Sequence, residues 1–252
     1  WDTSKISYIE IDLAKDWDES LLPDDLFAII HLSQAENFRQ FPEKAKEVFY
    51  INTLSTLKLV NYASEKKISH FIYASSGGVY GNADEAFTED NNTGFEKKSG
   101  FYIASKHCSE VILENYFEQL NVIILRFFFV YGKGQRAEML IPRLVNFVKS
   151  GEQIKLQGKS GIKINPIHVQ DAVMAILAAL KLNKSHTINI GGQEVLSLKE
   201  IGEIIGAAVD KEPKFFFNET ETTKNLIGNI SKMKALLHTP QSKFKDAIKT
   251  LI

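Results

Sequence analysis

Apolar residues along this chain fall into two rhythms that take turns, short unbroken runs and longer helical repeats. Ile6 to Ile11 alternates apolar and polar positions before Asp12-Leu13, the period of a half-buried strand. Phe27 to Leu32 is a continuous apolar run after the polar turn at Leu21 to Asp25, and predicts a strand buried on both faces. Pro42 permits a helix start, and from Glu43 to Lys66 the residues Val48, Ile51, Leu54, Leu57 and Val60 recur at helical spacing. Ile68 to Ala74 is the next buried run. Ala83 to Gly100 is an acidic loop rich in Asn and Gly, Phe101 to Leu120 a helix, and Asn121 to Phe129 a further buried strand. Strands apolar on both faces, alternating with helices, predict an α/β fold with a parallel sheet and helices on both sides.

The rhythm changes after Tyr131. A turn at Gly132 to Gln135 leads to a short helix, Ile141 to Lys149, a strand at Ile154 to Leu156 and a loop at Gln157 to Gly161. Val169 to Leu182 predicts an Ala-rich helix and Thr187 to Ile190 a short strand. Ser197 and Glu200 form a capping-box pattern that opens a helix from Leu198 to Val209. The expected division is a first domain over 1–134 and a smaller lobe over 135–252, with some segments returning to the sheet.

Composition narrows the partners. The chain has 252 residues, enough for an α/β domain and an attached lobe. With 30 basic and 31 acidic residues and no basic stripe, nucleic acid is not the expected partner. Cys108 is the only cysteine, so no internal disulfide forms, and a reducing cytoplasm suits the chain. No apolar run approaches the roughly 20 residues of a membrane span, and Trp1-Asp2-Thr3 does not open a signal peptide. No metal-ligand pattern stands out.

The chemistry is concentrated in two stretches. Ser75-Ser76-Gly77-Gly78-Val79-Tyr80-Gly81 closes a buried strand, and Tyr102-Ile103-Ala104-Ser105-Lys106 opens a helix that sets a phenol and an ammonium one turn apart. Tyr-x-x-x-Lys alone is weak, because chance supplies about one match in a chain so rich in lysine. A second match, Tyr62 to Lys66, lies at a helix end and follows no serine-bearing strand. Tyr102 and Lys106 differ by following the strand end at Ser75 and Ser76, where α/β sheets bind ligands.

Taken in order, Asp12-Leu13, His31-Leu32-Ser33, Asn52-x-x-Ser55-Thr56, Ser75-Ser76-x-x-Val79-Tyr80-Gly81, Tyr102-x-x-x-Lys106, Arg126-Phe127-Phe128 and Tyr131-Gly132 resemble the extended short-chain dehydrogenase/reductases. Within that family the likeness is to nucleotide-sugar epimerases and dehydratases. It runs on through Gly191-Gly192 to Asn229-x-Ser231-Lys232. The resemblance implies a Rossmann-type sheet with a C-terminal substrate lobe, NAD as cofactor (NADP left open) and a nucleotide sugar as substrate. It implies Tyr102 as acid/base, its phenol lowered from about 10 by the Lys106 charge and the oxidised nicotinamide. Ser76 would hydrogen-bond the reacting oxygen, and Lys106 would also hold the nicotinamide ribose. Asp12 and Leu13 would meet the adenine; Leu32, Ser33 and Gln34 would line the dinucleotide; Asn52, Ser75 and Phe128 would complete that wall. Asp12 equally suits a turn at a strand end, His31 a structural place, and Cys108 an inert helical thiol. The helices Glu43–Lys66 and Phe101–Leu120 resemble those through which the family forms homodimers.

Three departures shape the expectation. The family's opening strand and glycine-rich pyrophosphate turn are not in this sequence, which starts near the third strand. The expectation is that about 60 residues precede Trp1. Phe129 stands where sugar-nucleotide enzymes carry Asn, and Ile164-Asn165 where many carry Arg-Asp, leaving Lys163 or Arg136 to meet a diphosphate. Gly77-Gly78 replace the Asp-Glu of 4,6-dehydratases, so elimination of water lacks its acid and base. The expected function is an NAD(P)-dependent nucleotide-sugar epimerase working through a 4-keto intermediate. The alternatives are a 4-ketoreductase of a nucleotide sugar or other carbonyl, and a silent dinucleotide-binding regulator.

Overall fold

The computed structural model describes residues 3–93, 100–218 and 224–252. In chain order its elements are β1 (Ala28–His31), α1 (Ala45–Phe49), α2 (Ser55–Glu65), β2 (His70–Ser76), α3 (Gly100–Glu114) and β3 (Asn121–Phe127). There follow β4 (Val130–Tyr131), α4 (Leu140–Ser150), β5 (Gln153–Gln157), β6 (Lys163–Ile164), β7 (Ile167–His168), α5 (Val169–Ala179) and β8 (His186–Ile190). The chain ends with β9 (Leu196–Ser197), α6 (Leu198–Val209), β10 (Lys214–Asn218), α7 (Ser231–Leu236) and α8 (Phe244–Ala247). Four strands form one sheet in the order β1-β2-β3-β8, with β1 parallel to β2 and His31 opposite Tyr73. Every step along that order passes through a helix, the parallel α/β arrangement of Rossmann-like folds.

Two compact units make up the chain. The first comprises Trp1–Ala74, Lys97–Ile124 and Asn183–His186; the second comprises Ser75–Glu96, Leu125–Leu182 and Thr187–Ile252. In the first, Val60 and Ala63 of α2, Phe71 and Tyr73 of β2, Leu113 of α3, and Val122 and Ile124 of β3 are fully buried together. In the second, α4, β5 and α6 enclose a core of Ile141, Leu144, Ile154, Leu156, Ile201 and Ile205, closed by Phe244 of α8. β5 alternates exposed and buried positions, so its apolar face meets this core while β10 pairs along its edge.

Four expected elements come out differently. Ile6 to Ile11 forms no strand: Ile6, Tyr8 and Ile9 stay 40%, 83% and 47% exposed, and no described strand pairs with them. Alternation supplies an apolar face, but a strand persists only against a partner's ladder. The run from Phe27 to Leu32 narrows to Ala28–His31 and lies at the end of the sheet order, which leaves Phe27 and Leu32 exposed rather than buried on both faces. The helix expected over 43–66 begins at Ala45 and is interrupted by a π turn, Tyr50–Leu54. There the hydroxyls of Thr56 and Ser109 both donate to the Asn52 carbonyl, and Ser55 donates to Ile51, which draws these acceptors out of the regular ladder. The helix expected to reach Leu120 stops at Glu114, where the Asn115 amide donates back to the Val111 carbonyl.

Candidate active site

The centre of the first unit is built on α3. Its first turn presents Tyr102 half-buried, and one turn later Lys106 points inward and is 2% exposed. The Lys106 Nζ donates to the Ala74 carbonyl at 2.8 Å and stands 4.8 Å from the centre of the Tyr73 ring. Burial pushes the Lys106 ammonium down to about 7, opposed by the negative charge of Glu110 one turn further along α3. Glu110 is 1% exposed. A lysine that titrates near neutrality can carry a charge for a neighbouring phenol or give it up.

The loop leaving β1 faces this helix. Leu32, Ser33 and Gln34 are exposed beyond the carboxyl end of the strand, the position at which parallel sheets meet ligands. The Tyr102 phenol donates to Gln34 Oε1 at 2.9 Å, and its ring packs against Phe38 with centroids 4.7 Å apart. Asn52, in the π turn, is completely buried. Its Oδ1 accepts from the Ala35 amide at 2.9 Å and its Nδ2 donates to Ser105 Oγ at 2.9 Å; Ser105 in turn donates to the Tyr102 carbonyl at 2.7 Å. Its amide is therefore engaged by the loop after β1 and by α3. His31 is buried against Thr56 Oγ1 at 3.1 Å, and desolvation followed by the Lys106 charge presses its imidazole down to about 3. It stays neutral and structural.

Asp12 is exposed and organises a turn. Its Oδ1 accepts from the Ala14 amide at 3.0 Å and its carboxylate pairs with Lys15 at 3.0 Å, a hydrogen bond that holds it below the usual carboxylate range. Leu13 is half-buried beside it. The other Tyr-x-x-x-Lys pair is a brace: the Tyr62 phenol donates to the Pro23 carbonyl at 2.8 Å, and Lys66 pairs with Asp24.

The second unit holds the serine end of β2. Ser75 is 5% exposed and its Oγ has no hydrogen-bond partner, a buried hydroxyl of the kind that bound water or ligand satisfies. Ser76 caps the 3₁₀ turn Gly77–Tyr80, its Oγ accepting from the Gly78 amide at 3.1 Å. Tyr80 accepts a hydrogen bond from the buried Arg126 Nη1 at 2.7 Å and donates to Asn189 Oδ1 at 2.9 Å. Phe128 is 1% exposed, its ring stacked toward Tyr80 at 6.3 Å. Phe129 adopts φ +49° and packs against the lobe core, and Ile164 is fully buried in that core. The Asn165 amide is taken up by Gly192 and Gly228. Among the described residues no cluster of metal-ligating side chains occurs.

Sequence reasoning passed over two participants. Glu110 lay in plain view at helical spacing from Lys106, the one signal that could have marked it. Phe38 carried no signal, since its contact with Tyr102 is made through the loop's tertiary course.

Residues 2–191 match the NAD dependent epimerase/dehydratase family, and the chain belongs to it. Human dTDP-D-glucose 4,6-dehydratase is 30% identical over 164 residues, covering 64% of this chain and 46% of that protein. The chain thus spans about half the length of that relative. The dTDP-4-dehydro-6-deoxyglucose reductase of Escherichia coli is 30% identical over 227 residues, 85% of this chain and 70% of that one. The crystal structure of UDP-glucuronic acid 4-epimerase from Bacillus cereus in complex with NAD superimposes with a TM-score of 0.80 at 24% identity, over 95% of this chain and 74% of that one. The fold is shared with such enzymes, and NAD is the family's cofactor. In the first unit, the exposed loop after β1 lies where a strand of the sheet ends, the place at which such sheets meet ligands.

Proposed function

We propose that this chain is an NAD-dependent nucleotide-sugar epimerase that works through a 4-keto intermediate. The observation that carries the reading is the first turn of α3: a half-buried Tyr102 one turn from a Lys106 sealed against the Ala74 carbonyl. Tyr102 takes the proton of the substrate's C4 hydroxyl as the carbonyl forms, and returns it when the hydroxyl is rebuilt on the other face. Lys106 holds the nicotinamide ribose and favours the phenolate, and Ser76 donates a hydrogen bond to the reacting oxygen. Leu32, Ser33, Gln34 and Ser75 line the dinucleotide, with Asp12 and Leu13 toward its adenine. Bound NAD supplies the acceptor, and later the donor, of the C4 hydride. Gln34 can hold the neutral phenol but cannot take its proton, so Tyr102 must exchange this partner for the substrate oxygen before reacting.

A 4-ketoreductase is the second reading, favoured by the 30% identity to the Escherichia coli reductase. Both use the same side chains and differ in the fate of the reduced cofactor. The test is Tyr102→Phe, assayed with UDP-glucuronate and UDP-glucose. Turnover should fall at least ~100-fold, the lower end of the range for losing a general acid/base, with NAD affinity changed less than about threefold. Unchanged turnover sinks the role of Tyr102. Net oxidation of added NADH with a 4-keto sugar identifies the reductase.

A further inference from the structure

The loop after β1 is fixed at three points in front of the first turn of α3. Its Ala35 amide donates to the buried Asn52 carboxamide at 2.9 Å, its Asn37 Nδ2 donates to Glu47 of α1 at 3.0 Å, and Phe41 stacks on Phe101 with centroids 5.2 Å apart. Between these anchors Phe38 packs on the Tyr102 ring and carries the Arg39 guanidinium 4.9 Å above its own centre. Gln34 directly precedes the buried Ala35, so its backbone is pinned while its side chain stays exposed. That exposed carboxamide meets the Tyr102 phenol, Oε1 accepting at 2.9 Å. Water competes for an exposed contact of this kind, so the anchoring of the loop, not burial, delivers Gln34 to the phenol. Tyr102 can donate here only while it keeps its proton. A phenolate would set its negative oxygen against the lone pairs of Oε1.

We propose that Gln34 is a positioning residue for Tyr102: its carboxamide oxygen stands in for a substrate oxygen and keeps the phenol protonated until a substrate displaces it. The displacement rests on the epimerase reading above; the hold on the phenol does not. The other titratable and charged groups around Tyr102 leave this contact in control at alkaline pH. Lys106, on the same helix, is pushed by burial down to about 7 and is neutral well above that. Tyr73 of β2 is pushed up, by desolvation first, and stays a phenol while Tyr102 titrates. His31 of β1 is neutral above about 3. Glu36 and Arg39 of the loop and Glu110 of α3 are charged on both sides of a phenol's titration.

The experiment is an alkaline titration of Tyr102 in the full chain by NMR of ring-labelled tyrosine, its signal being the one that Tyr102→Phe removes. Gln34→Ala takes away the acceptor. The midpoint should then fall by about 0.3–1 pH unit, the weight of a hydrogen bond that shifts an equilibrium about 2- to 10-fold. Gln34→Glu puts a carboxylate there, which accepts more strongly and repels a phenolate, and the midpoint should rise by about 1 pH unit. A merely structural residue at an exposed position does not produce shifts of opposite sign. A midpoint that Gln34→Ala leaves in place overturns the hold. So does one that Gln34→Ala raises, because Nε2 would then be stabilising the phenolate, and so does a Gln34→Glu midpoint at or below the parent's. The second readout is the KM for UDP-glucuronate or UDP-glucose at saturating NAD. Gln34→Ala should lower it about 2- to 10-fold, since the sugar no longer competes with the carboxamide. An unchanged or raised KM overturns the stand-in role. A parent that acts on neither sugar, with both midpoint shifts as expected, removes the epimerase reading and leaves the hold on the phenol standing.

Discussion

His31 and Lys106 show what burial does to basic groups in the first unit. The imidazole, neighboured by the Lys106 charge, the Thr56 and Ser55 hydroxyls and the rings of Phe71 and Tyr73, titrates at about 3 when folded and at 6.5 as its reference value. Between those values the unfolded chain binds a proton that the folded chain refuses, so stability falls as pH drops from 6.5 toward 3. Lys106, down to about 7 from 10.5, acts in the same sense in its own window: its burial costs most below pH 7 and least near 10.5. His31→Gln keeps a hydrogen-bonding group and cannot charge. Its urea midpoint should decline less steeply than the parent's between pH 6.5 and 4, and equal slopes would remove His31 as the source. At this scale type and spacing single out Tyr102, Lys106 and Ser76 as the candidates in the sequence. It was silent on where the Asn52 amide goes, because Ala35 and Ser105 reach it only through the fold.

Elements were legible where their signals are local. α6 spans Leu198–Val209 as expected, because both halves of the Ser197–Glu200 capping box are made within four residues. Ser197→Ala should cost about 1 kcal/mol, lowering the thermal midpoint by roughly 2–4 °C, and a change under 1 °C would mean the box is idle. The strand at Ile6 to Ile11 failed for the opposite reason, its pairing being entirely non-local. The π turn at Tyr50–Leu54 lies between these cases. Helical periodicity runs through it unbroken, yet the extra residue per turn carries Asn52 into the interior between the loop after β1 and α3. Asn52→Leu strands the Ala35 N–H and removes a donor from Ser105, each worth roughly 1–3 kcal/mol when buried. The variant should unfold several degrees below the parent. NAD affinity should weaken much less than stability if Asn52 acts through packing, whereas a tenfold loss with unchanged melting would return it to the cofactor wall.

For the whole molecule, no helix among the described residues is long and apolar enough to cross a membrane, so its exposed apolar side chains call for another explanation. In the first unit three of them lie on the helices α1, α2 and α3, which bury other sides: Phe49 of α1 is 43% exposed, Leu57 of α2 39% and Val111 of α3 49%. Asn52, Thr53, Ser105 and Ser109 join these helices by hydrogen bonds, so they present a fixed surface rather than independent rods. A fixed surface carrying exposed apolar side chains suits an isologous contact, in which the same helices of a second copy cover it. We therefore propose a homodimer through α1–α2 and α3, which would seal the outer side of the helix that carries Tyr102 and Lys106. Light scattering at micromolar concentration should give the mass of two 28.4 kDa chains. Leu57→Lys combined with Val111→Lys, both away from Tyr102 and Lys106, should yield monomer with unfolding midpoint reduced and dependent no longer on protein concentration. A parent that stays monomeric, or a double variant that stays dimeric, rejects this face as the interface. If the monomeric variant also loses turnover while retaining NAD, the cost lies in the positioning of α3, because neither substitution touches the residues proposed to react.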